Sequence, residues 1–515
     1  MKVIANHTMQ ELDRLTIEQH GTLGLTLMEN AGRGFADAVI AHFGRTGSAV
    51  IFAGKGNNGG DGCVIARLLN DAGWQTKVCV AGDRAGISGD AETNLLRLSG
   101  ESVVYCRTDE ELRAVPSSWL THADLVIDAL FGTGLVKPVT GVYAAAVNLI
   151  NSCGRPVWSV DIPSGIHGTT GEVLGTAVCA AATVTFACAK SGHVLFPGAL
   201  HTGILKIIDI GIPAGVTDPA PGCEFLDRTA ITPLLSRRDR QAHKGHFGHC
   251  LIIAGSTGRT GAAVLAASSA VRAGSGLVTL AGPETLHTIL EIKTTEAMTA
   301  PLPDNGSGHV TMDARDRIMD LAQHMDALAI GPGMGRHPGT VSLVHDLVAA
   351  LSVPLVIDAD GLNALAGQTG VLHRKRAETV ILTPHPGEMA RLTGLSVAAV
   401  EGDRIGVARA FAAEYGVFLI LKGARTIIAS PQGAIAINGS GNPGMASGGM
   451  GDVLTGIVTS LLGQSFTPWD ACRIGVHLHG HAADLVAAAR GEAGMTATDV
   501  LEALPLAWMD LLTDK

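Results

Sequence analysis

The chain has 515 residues, 46% hydrophobic and 16% charged, which excludes an intrinsically disordered composition and allows roughly two to four packed domains. Its net charge of −10, from 37 basic and 47 acidic side chains, argues against general nucleic-acid binding. Nine scattered cysteines without a C-x-x-C pair are expected to be free thiols in a reducing cytosol.

The start, MKVIANHTMQELDRL, carries no apolar run of the signal-peptide type, and the longest apolar stretch, Ala177–Ala189, contains threonines and falls short of a membrane span. A cytoplasmic protein without a membrane partner is expected. Short β-branched runs then alternate with glycine-rich turns and helical patterns. Ser48–Ala53, Lys77–Ala81, Leu125–Asp128 and Val157–Asp161 read as buried parallel strands. The architecture predicted is α/β, with sites at the carboxyl ends of the strands.

Three of these strands end in polar loops. The first is GKGNNGGDG, Gly54–Gly62, which satisfies G-x-G-x-x-G through Gly54, Gly56 and Gly59. A convincing ribose-binding acid is missing, Asp83 being a loose candidate, and a tight strand–helix turn explains the glycines equally well. The others are VIDALFGTGL, Val126–Leu135, and VDIPSG, Val160–Gly165, with Asp128 and Asp161 at the strand ends. Either aspartate alone could cap a helix, but three such loops on one sheet make a site. TLMENAG (Thr26–Gly32), GKGNNGGDG, DALFGTGL and DIPSG, in this order, resemble the YjeF N-terminal domain, the NAD(P)H-hydrate epimerase, over roughly residues 1–215. The resemblance implies a Rossmann-like three-layer α/β/α fold. It implies that Asn57, Asn58, Gly59, Gly60 and Asp61, with Gly132, Thr133, Gly134, Leu135, Val136, Lys137 and Pro138, hold the phosphates and sugars of a damaged dinucleotide. It also implies a potassium ion (K+) on Asn58, Asp128 and Ser164, and Asp161 as the acid/base at the hydrated ring.

A Pro- and Gly-rich stretch, Pro213–Cys223, marks the junction of the halves, and residues 216–227 read as a linker. Beyond it, Cys250–Ala254, Ala327–Ile330, Leu355–Asp358, Val380–Leu382 and Val417–Leu421 read as a second series of strands. Their loops are GSTGRTGAA (Gly255–Ala263), IGPGMG (Ile330–Gly335), VIDADGLNAL (Val356–Leu365), LTPHPGE (Leu382–Glu388) and LKGART (Leu421–Thr426). Last comes NPGMASGGMGDVLTG, Asn442–Gly456, where glycines lead into a helical pattern and suit a phosphate beside Asp452. No Walker P-loop is present. This set, over roughly residues 228–515, resembles the YjeF C-terminal domain, the ribokinase-like ADP-dependent NAD(P)H-hydrate dehydratase. The resemblance implies Ala262, Gly333 and His385 near the hydrate. It implies Lys422, Gly423, Ala424, Arg425, Thr426 and Gly451 at ADP, Mg2+ on the phosphates, and Asp452 as catalytic acid/base.

The reading that joins the halves is repair of hydrated NADH and NADPH (NADHX and NADPHX) by an enzyme in which one half supplies the epimer the other dehydrates. A homo-oligomer is expected. The alternatives are a ribokinase-like small-molecule kinase with an accessory domain, a non-catalytic first half, and an NAD-dependent oxidoreductase. The loss of Asp61, Asp128 or Asp161 would have favoured a non-catalytic half, and an oxidoreductase lacks an evident hydride-transfer partner. The triplets His243, His246, His249 and His477, His479, His481 read as structural rather than metal-binding, and Lys55 either steers phosphate or is simply solvated.

Overall fold

The computed structural model describes residues 1–98 and 102–513. The chain divides into two compact units between Cys223 and Glu224. The stretch 216–227 is partly regular: it holds the end of the helix Ala214–Thr217 and a strand, Cys223–Leu226.

The strands of the first unit are β1 (Lys2–Ile4), β2 (Ser48–Ala53), β3 (Gln75–Ala81), β4 (Val103–Cys106), β5 (Leu125–Ala129), β6 (Val157–Val160), β7 (Ala182–Phe186), β8 (Ala189–Lys190) and β9 (Ile204–Ile208). Seven of them form one parallel sheet in the order β4-β3-β2-β5-β6-β7-β9, and β1 pairs with β8 separately. Alternate residues of β2 feed two different cores. Ala49, Ile51 and Ala53 pack with the helix Gly24–Phe43 through Phe35 and Val39, whereas Val50 and Phe52 pack with Val147 and Ile150 of the helix Gly141–Ser152. That alternation is why Ala49–Ala53 is apolar throughout: both faces of the strand are covered.

The second unit contains β10 (Cys223–Leu226), β11 (His249–Ile253), β12 (Leu277–Pro283), β13 (Met298–Leu302), β14 (Ala327–Ile330), β15 (Leu355–Ile357), β16 (Val380–Leu382), β17 (Phe418–Leu421), β18 (Ile427–Ala429) and β19 (Ile435–Asn438). The order β13-β12-β11-β14-β15-β16-β17 is parallel, β18 and β19 continue it antiparallel, and β10 joins β19 in parallel. The helix Met450–Gly463 is apolar almost all round and buried against the helix Thr260–Arg272, whose Ala263, Ala266, Ala267 and Ala270 admit a close approach. Closest is Gly456, where an added Cβ would lie 2.0 Å from the Ser269 hydroxyl and 2.1 Å from the Ala266 carbonyl oxygen. Gly456→Ala gains about 1 kcal/mol of helix propensity and loses up to about 3 kcal/mol to overpacking. Net destabilisation of about 2 kcal/mol is therefore expected in urea unfolding. No helix among the described residues is long and apolar enough to cross a membrane.

Candidate active sites

In the first sheet the strand order reverses between β2 and β5, and ligands of such sheets bind where that reversal opens a crevice. The loops after both strands interlock there. Gly54 donates its amide to the Ala129 carbonyl at 2.9 Å, and an added Cβ on Gly54 would sit 1.9 Å from the Leu130 carbonyl oxygen. A Cβ on Gly59 would sit 2.0 Å from the Gly54 carbonyl oxygen. Gly54 is thus demanded by the packing of one loop on the other and Gly59 by the packing of its own loop, whereas a Cβ on Gly56 would meet nothing. The helix Asn57–Asp71 starts after Gly56 without a side-chain cap, so its first amides face outward.

A cavity of about 640 Å³ opens beside these loops, a size suited to a small-molecule ligand. Asn57, Asn58, Asp61, Gly132, Thr133, Gly134, Leu135, Val136, Lys137 and Asp161 line it, as do Lys55, Asp13 and Lys190. Gly59, Gly60 and Pro138 do not: Gly59 packs on Gly54, and Gly60 on Met28 and Ala91.

Asp161 follows β6 in the left-handed region, at φ 64°. Lys190 Nζ, itself fully buried, donates to Asp161 Oδ1 at 2.6 Å and to the Thr185 hydroxyl at 2.8 Å, and that hydroxyl donates to the same Oδ1 at 3.0 Å. The Asp161 carbonyl meets His193 Nε2 at 2.9 Å, while His193 Nδ1 accepts from the Lys190 amide at 3.0 Å. Nδ1 is an acceptor, so Nε2 carries the proton. Burial pushes the His193 pKa down to about 4, with Lys190 acting in the same sense. Burial alone would raise Asp161, but the charge and hydrogen bond of Lys190, with His193 and Thr185, outweigh it and hold the carboxyl below its usual range. Nearby carboxyls go the other way. Burial, then Asp161 and Asp13, raise Asp61 well above its ordinary value, and burial raises Asp13 to about 6 despite Lys190.

Asp128 is wholly buried and carries four hydrogen bonds. It accepts from the Ser159 hydroxyl at 2.8 Å, the Ser164 amide at 2.8 Å, the Ser164 hydroxyl at 2.6 Å and the Leu130 amide at 3.2 Å. Both polar atoms of the buried Asn58 side chain lack a partner among the described residues. A buried amide oxygen of that kind is costly unless something polar or cationic meets it.

In the second unit the order reverses between β11 and β14. The loop after β11 is tied to IGPGMG: the Gly255 amide donates to the Pro332 carbonyl at 2.8 Å and the Ser256 hydroxyl to the Gly333 carbonyl at 2.7 Å. Ala262 and Gly333 face each other, since a Cβ on Gly333 would lie 3.0 Å from that of Ala262. Asp360 holds the same loops by accepting from the Gly335 amide and Arg259 Nη1, both at 2.9 Å.

The acidic centre lies where β15, β16 and β17 end. Lys422 Nζ meets Asp358 Oδ1 at 2.7 Å and Glu388 Oε2 at 3.8 Å, and the Thr455 hydroxyl donates to Asp358 Oδ2 at 2.8 Å. Gly451 closes on this pair, its virtual Cβ lying 3.2 Å from Lys422 Nζ. Asp452, next on the same helical turn, has its pKa raised to about 7 by burial, with Asp358, Asp360 and Glu388 adding to the rise and Lys422 opposing it. His385 caps the helix Pro386–Thr393: its Nδ1 accepts from the Gly387 amide at 3.0 Å, and its own amide donates to Glu388 Oε2 at 2.9 Å. Burial and Lys422 lower the His385 pKa. The loop Lys422–Thr426 is pinned by Arg404, which donates to the Leu421 and Lys422 carbonyls at 3.2 and 3.3 Å and also to Ala424, while the Thr426 hydroxyl bonds the Gly423 carbonyl at 3.1 Å. The helix Met450–Gly463 starts after Gly449, at φ 90°, with no side-chain cap.

Sequence reasoning passed over Lys190, Thr185, His193 and Asp13 in the first unit, and Asp358, Glu388 and Thr455 in the second. Lys190 did carry a signal, because it directly follows the longest apolar run. Asp358 did too, because it ends an apolar strand as Asp128 does. Of the histidine triplets, His243 and His246 stack in a capping turn, His249 bonds Thr279, and His481 pairs with Asp510.

Residues 24–192 match the family described as YjeF-related protein N-terminus, and residues 250–506 match NAD(P)H-hydrate dehydratase. The chain is 43% identical to the bifunctional NAD(P)H-hydrate repair enzyme Nnr of Moorella thermoacetica, over 98% of this chain and 96% of that one. It is 40% identical to the enzyme of the same name from Thermofilum pendens, over 100% and 97%. Among solved structures, an ADP/ATP-dependent NAD(P)H-hydrate dehydratase from Bacillus subtilis co-crystallised with ATP and Mg2+ is 33% identical, with a TM-score of 0.50 over 56% of this chain and 99% of that one. A small-molecule kinase is not favoured by these likenesses.

Proposed function

The chain belongs to the bifunctional NAD(P)H-hydrate repair enzymes, and on that premise we propose how its residues share the work. It is an epimerase of hydrated NADH and NADPH and a nucleotide-dependent dehydratase of the S epimer, which returns NADH and NADPH. The nucleotide is ADP in this reading, giving AMP and phosphate, and the protein is a cytoplasmic homo-oligomer.

In the first unit the amides opening the helix Asn57–Asp71 and the loop 132–137, with the Lys137 ammonium, hold the phosphates and sugars. C6 of the hydrate is a hemiaminal carbon, so hydroxide lost there can return on either face. Asp161, kept ionised by Lys190, takes the proton of the water that adds back. Asn58, Asp128 and Ser164 would hold K+. The fit rests on the unpartnered buried oxygen of Asn58 and on an all-oxygen donor set. The ion would supply a fixed positive charge beside the dinucleotide phosphates.

In the second unit the uncapped start of the helix Met450–Gly463 and Gly451 meet the nucleotide phosphates, and Lys422–Thr426 meet the rest of the nucleotide. Ala262 and Gly333, packed against each other, and His385 meet the hydrated ring in this reading. Asp452 removes the proton of the C6 hydroxyl as it attacks the terminal phosphate. Phosphate then leaves C6 far more readily than hydroxide would. Mg2+ supplies charge neutralisation on the transferred group.

The single observation that carries this reading is Asp452, its pKa raised to about 7, at the uncapped start of the helix Met450–Gly463. The test mixes the protein with both epimers, Mg2+, K+ and ADP, and follows the near-UV absorbance of the restored dihydronicotinamide. Full recovery with one phosphate per ring is expected. Recovery of the S fraction alone would remove the first unit from the reaction, and no recovery would remove the second. Replacing K+ by Li+ slows only the part of the signal that starts as the R epimer.

A further inference from the structure

The epimerase cavity holds more chemistry than one carboxylate. Asp61 and Asp161 line it together, and Asp13 lines it from the helix Asn6–His20. Among the charged groups of this lining, Lys190 is wholly buried and ion-paired to Asp161, its Nζ lying 2.6 Å from that carboxylate. The influences acting on Asp61 are burial and the charges of Asp161, Asp13 and Lys190, with no hydrogen bond to its carboxylate among them. Lys55, Lys137 and Asp90 complete the charged lining, and His193 stands behind Asp161. Two neighbouring carboxyls in one cavity, only one of them given a cation, are forced into opposite protonation states.

Resting on the epimerase reading above, we propose that Asp61 is a second catalytic residue, the acid that protonates the departing C6 hydroxyl while Asp161 serves as the base. Asp61 gives its proton to the hydroxyl as the C6–O bond breaks. The bonding pair leaves with oxygen as water, and the ring-nitrogen lone pair closes a C=N bond, leaving a ring cation that the Asp161 carboxylate balances. Water then adds to the opposite face of C6 and its proton goes to Asp161. Exchange of that proton from Asp161 back to Asp61 restores the starting state. Inversion needs an acid and a base around one carbon, as it does in inverting glycosidases. Lys190 is the positioning residue that decides which carboxyl is which.

The test follows the epimer ratio of hydrated NADH chromatographically, without nucleotide, so that dehydration does not contribute. The full chain, Asp61→Asn, Asp61→Glu and Asp161→Asn are compared between pH 5 and 9. Asp61→Asn should lose at least about 100-fold in kcat, with KM within about threefold and no fall in rate at high pH. A kcat within about tenfold of the parent, or a loss confined to KM, would overturn the proposal. Should Asp61→Asn not fold, Asp61→Glu decides: a retained alkaline fall supports the acid role, and its disappearance overturns it. Asp161→Asn separates the two levels. If it epimerises at the parent rate, the epimerase reading itself fails. If it is dead while Asp61→Asn is active, only the proposal does.

Discussion

Asp452→Asn lowers the rate of dehydration by about 10²–10⁴-fold and leaves epimerisation at its parent rate. The asymmetry follows from the chain: the two acid/base groups belong to different units, Asp161 to residues 2–223 and Asp452 to the rest. The magnitude follows from the environment. Asp452 sits among Asp358, Asp360 and Glu388 with only Lys422 to offset them, and burial raises its pKa to about 7. Such a carboxylate is a stronger base than an exposed aspartate and is still half ionised near neutrality. As the base acts in its ionised form, the dehydration rate of the parent should climb as pH rises through about 7, a limb the variant lacks. The same crowding acts on stability with a definite sign. A carboxyl whose folded-state pKa lies above its unfolded value costs stability as pH rises from about 4 to about 7. The melting temperature of Asp452→Asn should thus exceed that of the parent by more at pH 8 than at pH 5. An equal difference at both would detach the elevated pKa from this residue.

Lys190→Met abolishes epimerisation and destabilises the first unit by about 3–5 kcal/mol at neutral pH, the usual cost of leaving a buried charge without its partner. The wild-type pair depresses the Asp161 pKa, so its contribution is present above the ordinary carboxylate pKa and is lost as pH falls through the folded-state value. Without Lys190 the burial that raises the Asp161 carboxyl is no longer outweighed, so in the variant Asp161 takes up a proton on acidification. The penalty of the substitution should therefore shrink well above the window in which the wild-type pair itself is lost. Urea unfolding at pH 7 and pH 4 measures it. A pH-independent penalty would mean that Lys190 only fills space. Dehydration of the S epimer, assayed on the same preparation, should continue.

Much of this was legible because the buried strands are short apolar runs that end in an aspartate or a glycine loop. Both Asp128 and Asp161 could be placed at strand ends, and the structure places them in or directly after β5 and β6. What escaped depends on neighbours far away in sequence. Lys190 acquires its meaning from Asp161, 29 residues earlier, and Thr455 from Asp358, 97 residues earlier. A lysine after an apolar run looks like a strand end meeting solvent until the fold buries it. β18 and β19 are runs of three and four residues that draw their stability from pairing with β17 and with each other. β10 went unread for the same reason, since its partner β19 lies about two hundred residues on. His385 was singled out for its position after a strand; its ring caps a helix and its amide positions Glu388, a division of labour that no spacing rule announces.

The contact between Gly54 and the Leu130 carbonyl has a bearing on how this protein can change over generations. Two loops that share a contact with no room for a methyl group are inherited as a unit. A mutation that adds any side chain at Gly54 pushes one loop off the other and opens the cavity both of them line, and one at Gly59 forces Gly54 itself to move. Val136, 70% exposed at the rim, carries no such restriction. Variation in what the first unit accepts is thus channelled to the rim, and its floor can be altered only by coordinated replacement of both loops.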